Sequence, residues 1–307
     1  MRYVIIGAGQ IGTQLAGDLV RAGHDVTVVR RSATASATSI STITADVIDV
    51  GAWAPAAEGA AAIFHCMHAP YDSRVWARDL PPREQAVMDV AVRCSIPVVF
   101  PESMYAFGTH AHDLHEGAPL APISPLGEVR ADLLRARAAH PAATLSVVGS
   151  DLIGPSAGTG SVAALTVVGP LAAGRRAWLL GAPDAPHSWT SIPDLSRAMI
   201  HCAVHADRLA PAGDAVLHCP TAAPRSLREL AEDTAQILGR PARNATVPRA
   251  ALRLARPFHP MLRELDRQQY LWREPCVLQP GRLMLEGELS PTPWEDALRA
   301  MVARVDV

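Results

Sequence analysis

The chain has 307 residues, a formal net charge of −2 and 49% hydrophobic residues, enough to bury a substantial core in one large or two modest domains. Its 28 basic residues stand against 30 acidic ones with no basic stripe or acidic tail, so the charge pattern gives no case for a nucleic acid or a membrane surface as partner. Every basic residue is Arg, and the absence of Lys excludes Schiff-base, P-loop and lysine-base chemistry.

In chain order, Tyr3–Ile6 is a short apolar run that ends in a glycine cluster, and Gln10–Ala22 carries helical spacing with Ile11, Leu15, Leu19 and Ala22 on one face. Gly23 stops that helix, and Val26–Val29 predicts a second buried strand, completing a βαβ unit. Ser32–Thr44 is a Ser/Thr/Ala-rich loop with room for a short strand near its end. Strands are expected at Ala60–Cys66, Ile96–Phe100 and Thr144–Val148, and helices at Arg83–Arg93 and Val129–Ala139. This alternation predicts a parallel sheet covered on both faces, an α/β Rossmann doubly wound fold. Composition shifts near residue 155 towards Pro and Arg, and helices are expected at Leu227–Leu238, Arg249–Ala255, Met261–Trp272 and Pro291–Val305. Ser226 and Glu229 form a capping box for the first of these. The expected division is a dinucleotide-binding part, 1–155, with 186–222 returning to the sheet, and a smaller, mainly helical substrate domain, 156–185 and 223–307.

Gly7-Ala8-Gly9-Gln10-Ile11-Gly12 is a G-x-G-x-x-G loop between strand and helix, the context in which glycines admit a pyrophosphate to a helix N-terminus. Gly7, Gly9, Gln10, Ile11 and Gly12 are therefore candidate cofactor residues; the plain alternative is a tight turn. The second strand ends in Arg30 and Arg31 with no acid beside them, which suits the 2′-phosphate of NADP, with NAD the lesser alternative. Tyr105 sits at the end of a strand, where ligands meet open α/β sheets, and is a candidate acid/base if a nearby cation lowers its pKa. Tyr71 and Glu102 are further candidates, the latter as a general base. His65 and His68, and the loop cluster His110, His112 and His115, lack companion ligands at diagnostic spacing, so no metal is expected. His187 is a candidate for reaching the substrate, and Gly149-Ser150-Asp151 lacks the G-x-S-x-G elbow of a serine hydrolase. The five cysteines are scattered without C-x-x-C. With no signal-peptide pattern and no apolar run of about 20 residues, the expectation is a reduced, soluble, cytoplasmic protein.

These residues, taken with several softer motifs, resemble the short-chain dehydrogenase/reductase superfamily, and within it the NAD(P)-dependent epimerase/dehydratase branch. The likeness runs nearly the whole length. Asp46-Val47-Ile48-Asp49 is similar to the family's D-x-x-D segment, which implies that Asp46 and Val47 border the adenine. His65-Cys66-Met67-His68 resembles the turn beside the cofactor, implicating Cys66, Met67 and His68. Val98–Gly108 resembles the strand that carries the catalytic serine, which places Ser103 at that position; Gly154-Pro155 and Ser188–Leu195 match later segments. The family's Tyr-x-x-x-Lys is replaced: Leu126 stands for the tyrosine and Arg130 for the lysine, and the glycine motif is one residue shorter than in extended members, as in atypical ones. An arginine holds a ribose hydroxyl but shuttles protons poorly.

Three readings follow. The first is an NADP-dependent oxidoreductase acting on a carbonyl/alcohol centre of a small molecule, with Ser103 on the reacting oxygen, Tyr105 as acid/base and Arg130 on the ribose. The second is a non-redox dehydratase, isomerase or cyclase using the same pocket. The third is a non-catalytic, NADP-sensing binding protein. The resemblance also allows a homodimer through the helices at Arg83–Arg93 and Val129–Ala139.

Overall fold

The computed structural model describes residues 1–32, 40–158, 160–248, 250 and 260–305. Six strands of the first half, β1 (Arg2–Ile6), β2 (Asp25–Arg30), β3 (Ile40–Thr44), β4 (Ala62–His65), β5 (Val98–Ser103) and β6 (Thr144–Gly149), lie in one sheet. Of the later strands, β7 (Asp151–Ile153) pairs with β9 (Trp189–Ser191), and β8 (Ala177–Leu179) with β11 (Asn244–Thr246). The strand β10 (Asp214–His218) joins the large sheet, whose order is β10-β6-β5-β4-β1-β2-β3 with every pair parallel. This is the Rossmann arrangement: the chain reverses direction across the sheet after β3, leaving a crevice at the strand C-termini beside β1 and β4. Strands buried on both faces read as continuous apolar runs, and β4 and β6 are buried at every residue.

One sheet face packs against helix α1 (Gln10–Arg21) through Leu15, Ala16 and Leu19. The opposite face packs against helix α2 (Ser73–Cys94) through Val87, Met88, Val90 and Ala91. Helix α3 (Pro125–Ala139) follows β5, and helix α4 (Ile192–Val204) packs beside α1 with Leu195, Ala198 and Met199 in the same core. Helices α5 (Leu227–Ile237), α6 (Pro260–Arg267) and α7 (Trp294–Val305) complete the chain. Leu227, Leu230, Trp272 and Leu298 join Met104, Phe107 and Trp189 in one core.

Most expected elements stand within a few residues of their predicted ends, and three readings differ. The helix expected from Arg83 begins at Ser73 and runs through Pro81 and Pro82, with the Asp72 side chain capping it from the Arg74 N–H at 3.0 Å. The prolines remove the N–H partners of the Ala77 and Arg78 carbonyls, and both residues are exposed, so water replaces those bonds. The single helix expected over Met261–Trp272 divides into α6 and a short helix, Tyr270–Arg273. Beyond residue 155 the described residues contain four strands as well as helices. The helix expected at Arg249–Ala255 lies, but for Ala250, outside the described residues. The Ser226–Glu229 capping box is formed. Among the described residues, no helix is long and apolar enough to cross a membrane.

Candidate active site

The glycine loop is shaped by close packing on two sides and open space on the third. Gly7 has φ +99°, and a Cβ there would lie 2.8 Å from the Met67 backbone; a Cβ on Gly12 would meet the Gly7 carbonyl oxygen at 2.0 Å. A Cβ on Gly9 would touch nothing within 4 Å. Gly9 is also the N-cap of α1, and no side chain caps the helix. Uncapped N–H groups and the positive end of the helix dipole thus meet an open surface, which fits the pyrophosphate of a dinucleotide.

At the end of β2, Arg30 is half-buried and its solvent-shielded Nε has no hydrogen-bond partner among the described residues, while Arg31 is exposed. Asp46 lies 3.4 Å from Arg83 and accepts the Ile48 N–H at 3.2 Å. Val47 is buried in the core, and its carbonyl accepts the Trp53 indole N–H at 2.8 Å. The Val47 side chain is therefore a packing group, and only its backbone remains to border a ligand.

A cleft of about 1080 Å³ runs from Gly9, Gln10 and Ile11 past Cys66, Met67 and His68 to Ser103, Tyr105, Arg130, Tyr71 and Asp151. Gly7 and Gly12 lie in the packed side of the loop, and Arg30, Arg31, Asp46 and Val47 lie outside this lining. The strand ends of β4, β5 and β6 deliver the lining residues, as the topology requires.

Leu126 is fully buried against Trp76, Leu80, Val129 and Leu133, so the helix position that resembles the family's tyrosine is part of the core. A phenol reaches the cleft from another direction: Tyr105 follows β5, and its hydroxyl lies 3.0 Å from that of Tyr71. The expected lowering of the Tyr105 pKa is not found. Burial pushes it well above its ordinary value, and Arg130 offsets this only in part; burial also raises Tyr71. The pair is therefore neutral and each hydroxyl is held as a hydrogen-bond donor and acceptor, while the phenolate form is disfavoured.

Arg130 donates to His68 Nε2 at 3.0 Å and lies 4.7 Å from the centre of the Trp76 ring. His68 Nδ1 is 2.7 Å from the Ala69 carbonyl, which assigns the proton to Nδ1 and leaves Nε2 to accept. The cleft walls around the ring, with the Arg130 charge adding to them, hold His68 below its ordinary range, although one edge of the side chain is exposed. Glu102 corrects the general-base expectation. Its Oε1 accepts the Ser103 N–H at 2.8 Å and the Ser103 hydroxyl at 3.4 Å and stands 3.6 Å from Arg130 Nε. Its Oε2 accepts from Arg137 at 2.9 Å. Arg137 is fully buried and forks onto Glu84 at 2.8 and 2.7 Å. Glu102 is thus held between two guanidiniums, and its work is to orient Ser103 and Arg130. His187 is buried and reaches the cleft only through Asp151, 2.7 Å away. His112 faces Glu274 and His115 faces Asp113; among the described residues no three or more His, Cys, Asp or Glu side chains converge as metal ligands.

Sequence reasoning missed Trp76, Glu84, Arg137 and the partnership of Asp151 with His187. A signal for two of them was present. Glu84 lies on the same helical stripe as Leu80, Val87 and Met88, and Arg137 follows Leu133 and Leu134. A charge on an apolar stripe needs a buried partner.

The sheet order and glycine loop define a Rossmann-type protein. A family model, the NAD dependent epimerase/dehydratase family, matches residues 3–217, and the chain belongs to that family. Among solved structures it is similar to the UDP-glucose 4-epimerase of Thermus thermophilus in complex with NAD, at 18% identity over 99% of each chain and TM-score 0.75. It is also similar to DesIV, the dTDP-glucose 4,6-dehydratase of Streptomyces venezuelae with NAD bound, at 20% identity over 99% of this chain and 96% of that one, TM-score 0.76. A third is the UDP-Glc/GlcNAc 4-epimerase of Campylobacter jejuni, at 15% identity over 99% and 98%, TM-score 0.73. At such identities the likeness is one of fold. No curated protein matches the sequence.

Proposed function

We propose that the protein is a dinucleotide-dependent enzyme of the epimerase/dehydratase class that acts on a carbonyl/alcohol centre of a small molecule. The observation that carries this is the single cleft joining the open glycine loop to Ser103 and the Tyr105–Tyr71 pair. When bound, the nicotinamide supplies the hydride donor or acceptor. Gly9, Gln10 and Ile11 hold the pyrophosphate; Cys66, Met67 and His68 border the nicotinamide half, and Arg130 holds the ribose. Ser103 hydrogen-bonds the reacting oxygen, and Tyr105, backed by Tyr71, gives it a proton. Residues 1–155 with 186–222 form the dinucleotide-binding part, and 156–185 with 223–307 the substrate part.

Arg30 and Arg31 support the 2′-phosphorylated cofactor, NADP(H): a half-buried and an exposed guanidinium side by side at the end of β2 suit an anion there. The solved relatives named above are complexes with NAD or named for the same class, so NADH is the comparison ligand. Calorimetric titration with NADPH and NADH, followed by a carbonyl-substrate screen read as nicotinamide absorbance, tests the proposal. NADPH binding tighter than NADH, with substrate turnover that depends on the bound dinucleotide, is the expected result. Binding of neither overturns it. Turnover with no net absorbance change fits a redox-neutral cycle in which the nicotinamide returns its hydride; such turnover persisting in protein stripped of dinucleotide transfers the assignment to a non-redox isomerase or dehydratase, a reading that the buried Leu126 and the always-charged Arg130 favour.

A further inference from the structure

The cleft carries a charged group that the function above does not use. Asp151 opens β7 and lines the cleft with Ser150, Ser103, Tyr105 and Tyr71. Its Oδ2 is 2.7 Å from His187 Nε2. His187 is buried, stacked at 4.2 Å on Trp272 and 4.8 Å from Trp189, so the ring is fixed. The β7–β9 pairing sets Asp151 opposite Trp189, two residues beyond His187, which brings the two together. Oδ1 has no hydrogen-bond partner among the described residues, and the Asp151 side chain keeps 23% of its surface exposed.

We infer that Asp151, held by His187, is the substrate-facing acceptor of the cleft: it binds a hydroxyl or ammonium group of a small polyhydroxylated ligand and rejects a carboxylate or phosphate there. The inference rests on reading this cleft as the substrate site. An ionised carboxylate only accepts hydrogen bonds, so its free oxygen selects for a donor. Its neighbours on the lining are hydroxyls, which donate or accept, and these suit a ligand with several hydroxyls. The nearby guanidiniums do not neutralise Asp151, because Arg137 is committed to Glu84 and Glu102, and Arg130 to Glu102 and His68. An anion beside Asp151 meets like charge in a partly desolvated cleft. Asp151 also acts on both phenols: burial first, and its charge in addition, raises Tyr105 and Tyr71. The same carboxylate therefore helps to keep the Tyr pair protonated while it engages the ligand. His187 is a positioning residue, acting only through Asp151.

The test is saturation-transfer NMR with three probes of common frame and different charge, D-glucosamine, D-glucose and D-glucuronate, at millimolar concentration with and without NADPH. The wild type is expected to bind glucosamine and glucose at least about fivefold more tightly than glucuronate. Asp151→Asn is expected to abolish that order, and His187→Gln to weaken it, with the melting temperature followed for each variant. Equal binding of all three by the wild type, preference for glucuronate, or no binding of any probe overturns the inference without reliance on a variant. NADPH titrated into the same samples separates the two failures. Binding of NADPH without the charge order sinks this inference alone, whereas the charge order without NADPH binding sinks the dinucleotide reading alone.

Discussion

Three glycines within six residues have three different physical duties, and substitution separates them. At Gly12 a methyl group meets a backbone oxygen at 2.0 Å, so Gly12→Ala is expected to shift the loop and lower both the melting temperature and dinucleotide affinity. At Gly9 a methyl group enters open space, so Gly9→Ala leaves the melting temperature unchanged and weakens dinucleotide binding, read by calorimetry and thermal melts together. Equal affinity for Gly9→Ala and wild type would show that the open face is not the binding face. Tyr105→Phe removes the cleft phenol but keeps the ring that stacks on Trp76. The expected result is a loss of about a hundredfold or more in kcat/KM with the fold intact, seen in steady-state rates and circular dichroism. Leu126→Tyr, which restores the family's residue type, is expected not to rescue that variant. Its site is filled by Trp76, Leu80, Val129 and Leu133, and overpacking there costs about 1–3 kcal/mol in a urea titration.

Helices α2 and α3 meet through a buried ladder of charges rather than through apolar contact alone. Arg137 of α3 bridges Glu84 of α2 and Glu102 of β5, and Ser146 of β6 accepts from the same guanidinium at 2.9 Å. Replacing a buried cation while leaving two carboxylates behind is the costly half of breaking an ion pair. Arg137→Leu is therefore expected to lose about 3–5 kcal/mol of stability by urea denaturation, and Glu84→Gln in that background to recover part of it. At this scale the helices with clean 3.6-residue periodicity were legible in the sequence: α1, α5 with its Ser226–Glu229 box, and most of α3. The first half of α2 was not, because Pro81 and Pro82 look like a stop. They are tolerated since the carbonyls they orphan face water, and exposure of a carbonyl is a tertiary fact. The glycine loop and the apolar Leu126 at the helix position that resembles the family's tyrosine were equally legible. Asp151–His187 was not, because the contact spans 36 residues and depends on the β7–β9 register.

Stability of the whole molecule is linked to pH through a histidine beneath the cleft. Burial depresses His65 from 6.5 to about 4, so it is neutral in the folded protein while the unfolded chain takes up a proton near 6.5. The unfolded state then binds more protons between those values, and stability falls as pH drops from about 6.5 towards about 4, by up to about 1.4 kcal/mol per pH unit. Above that window this penalty vanishes. Urea midpoints near pH 7.5 and near pH 5 should differ in this sense, and His65→Asn should flatten the slope. An unchanged midpoint across the window would mean that water reaches this ring. The parallel sheet was legible from the alternation of apolar runs and helices. The seat of its last strand, β10, was harder to read, because a long stretch of chain separates it from its partner β6.

That separation has a consequence for how the polypeptide emerges from the ribosome. β6 is buried at all six positions, and the strand that covers its outer edge, β10, begins at Asp214. Until that stretch has been synthesised, the nascent sheet ends in an apolar strand with unpaired amides and carbonyls, a template for pairing between chains. A product truncated after residue 155 carries this open edge permanently. It is expected to accumulate as aggregates, whereas one extended through β10 and α5 remains in solution.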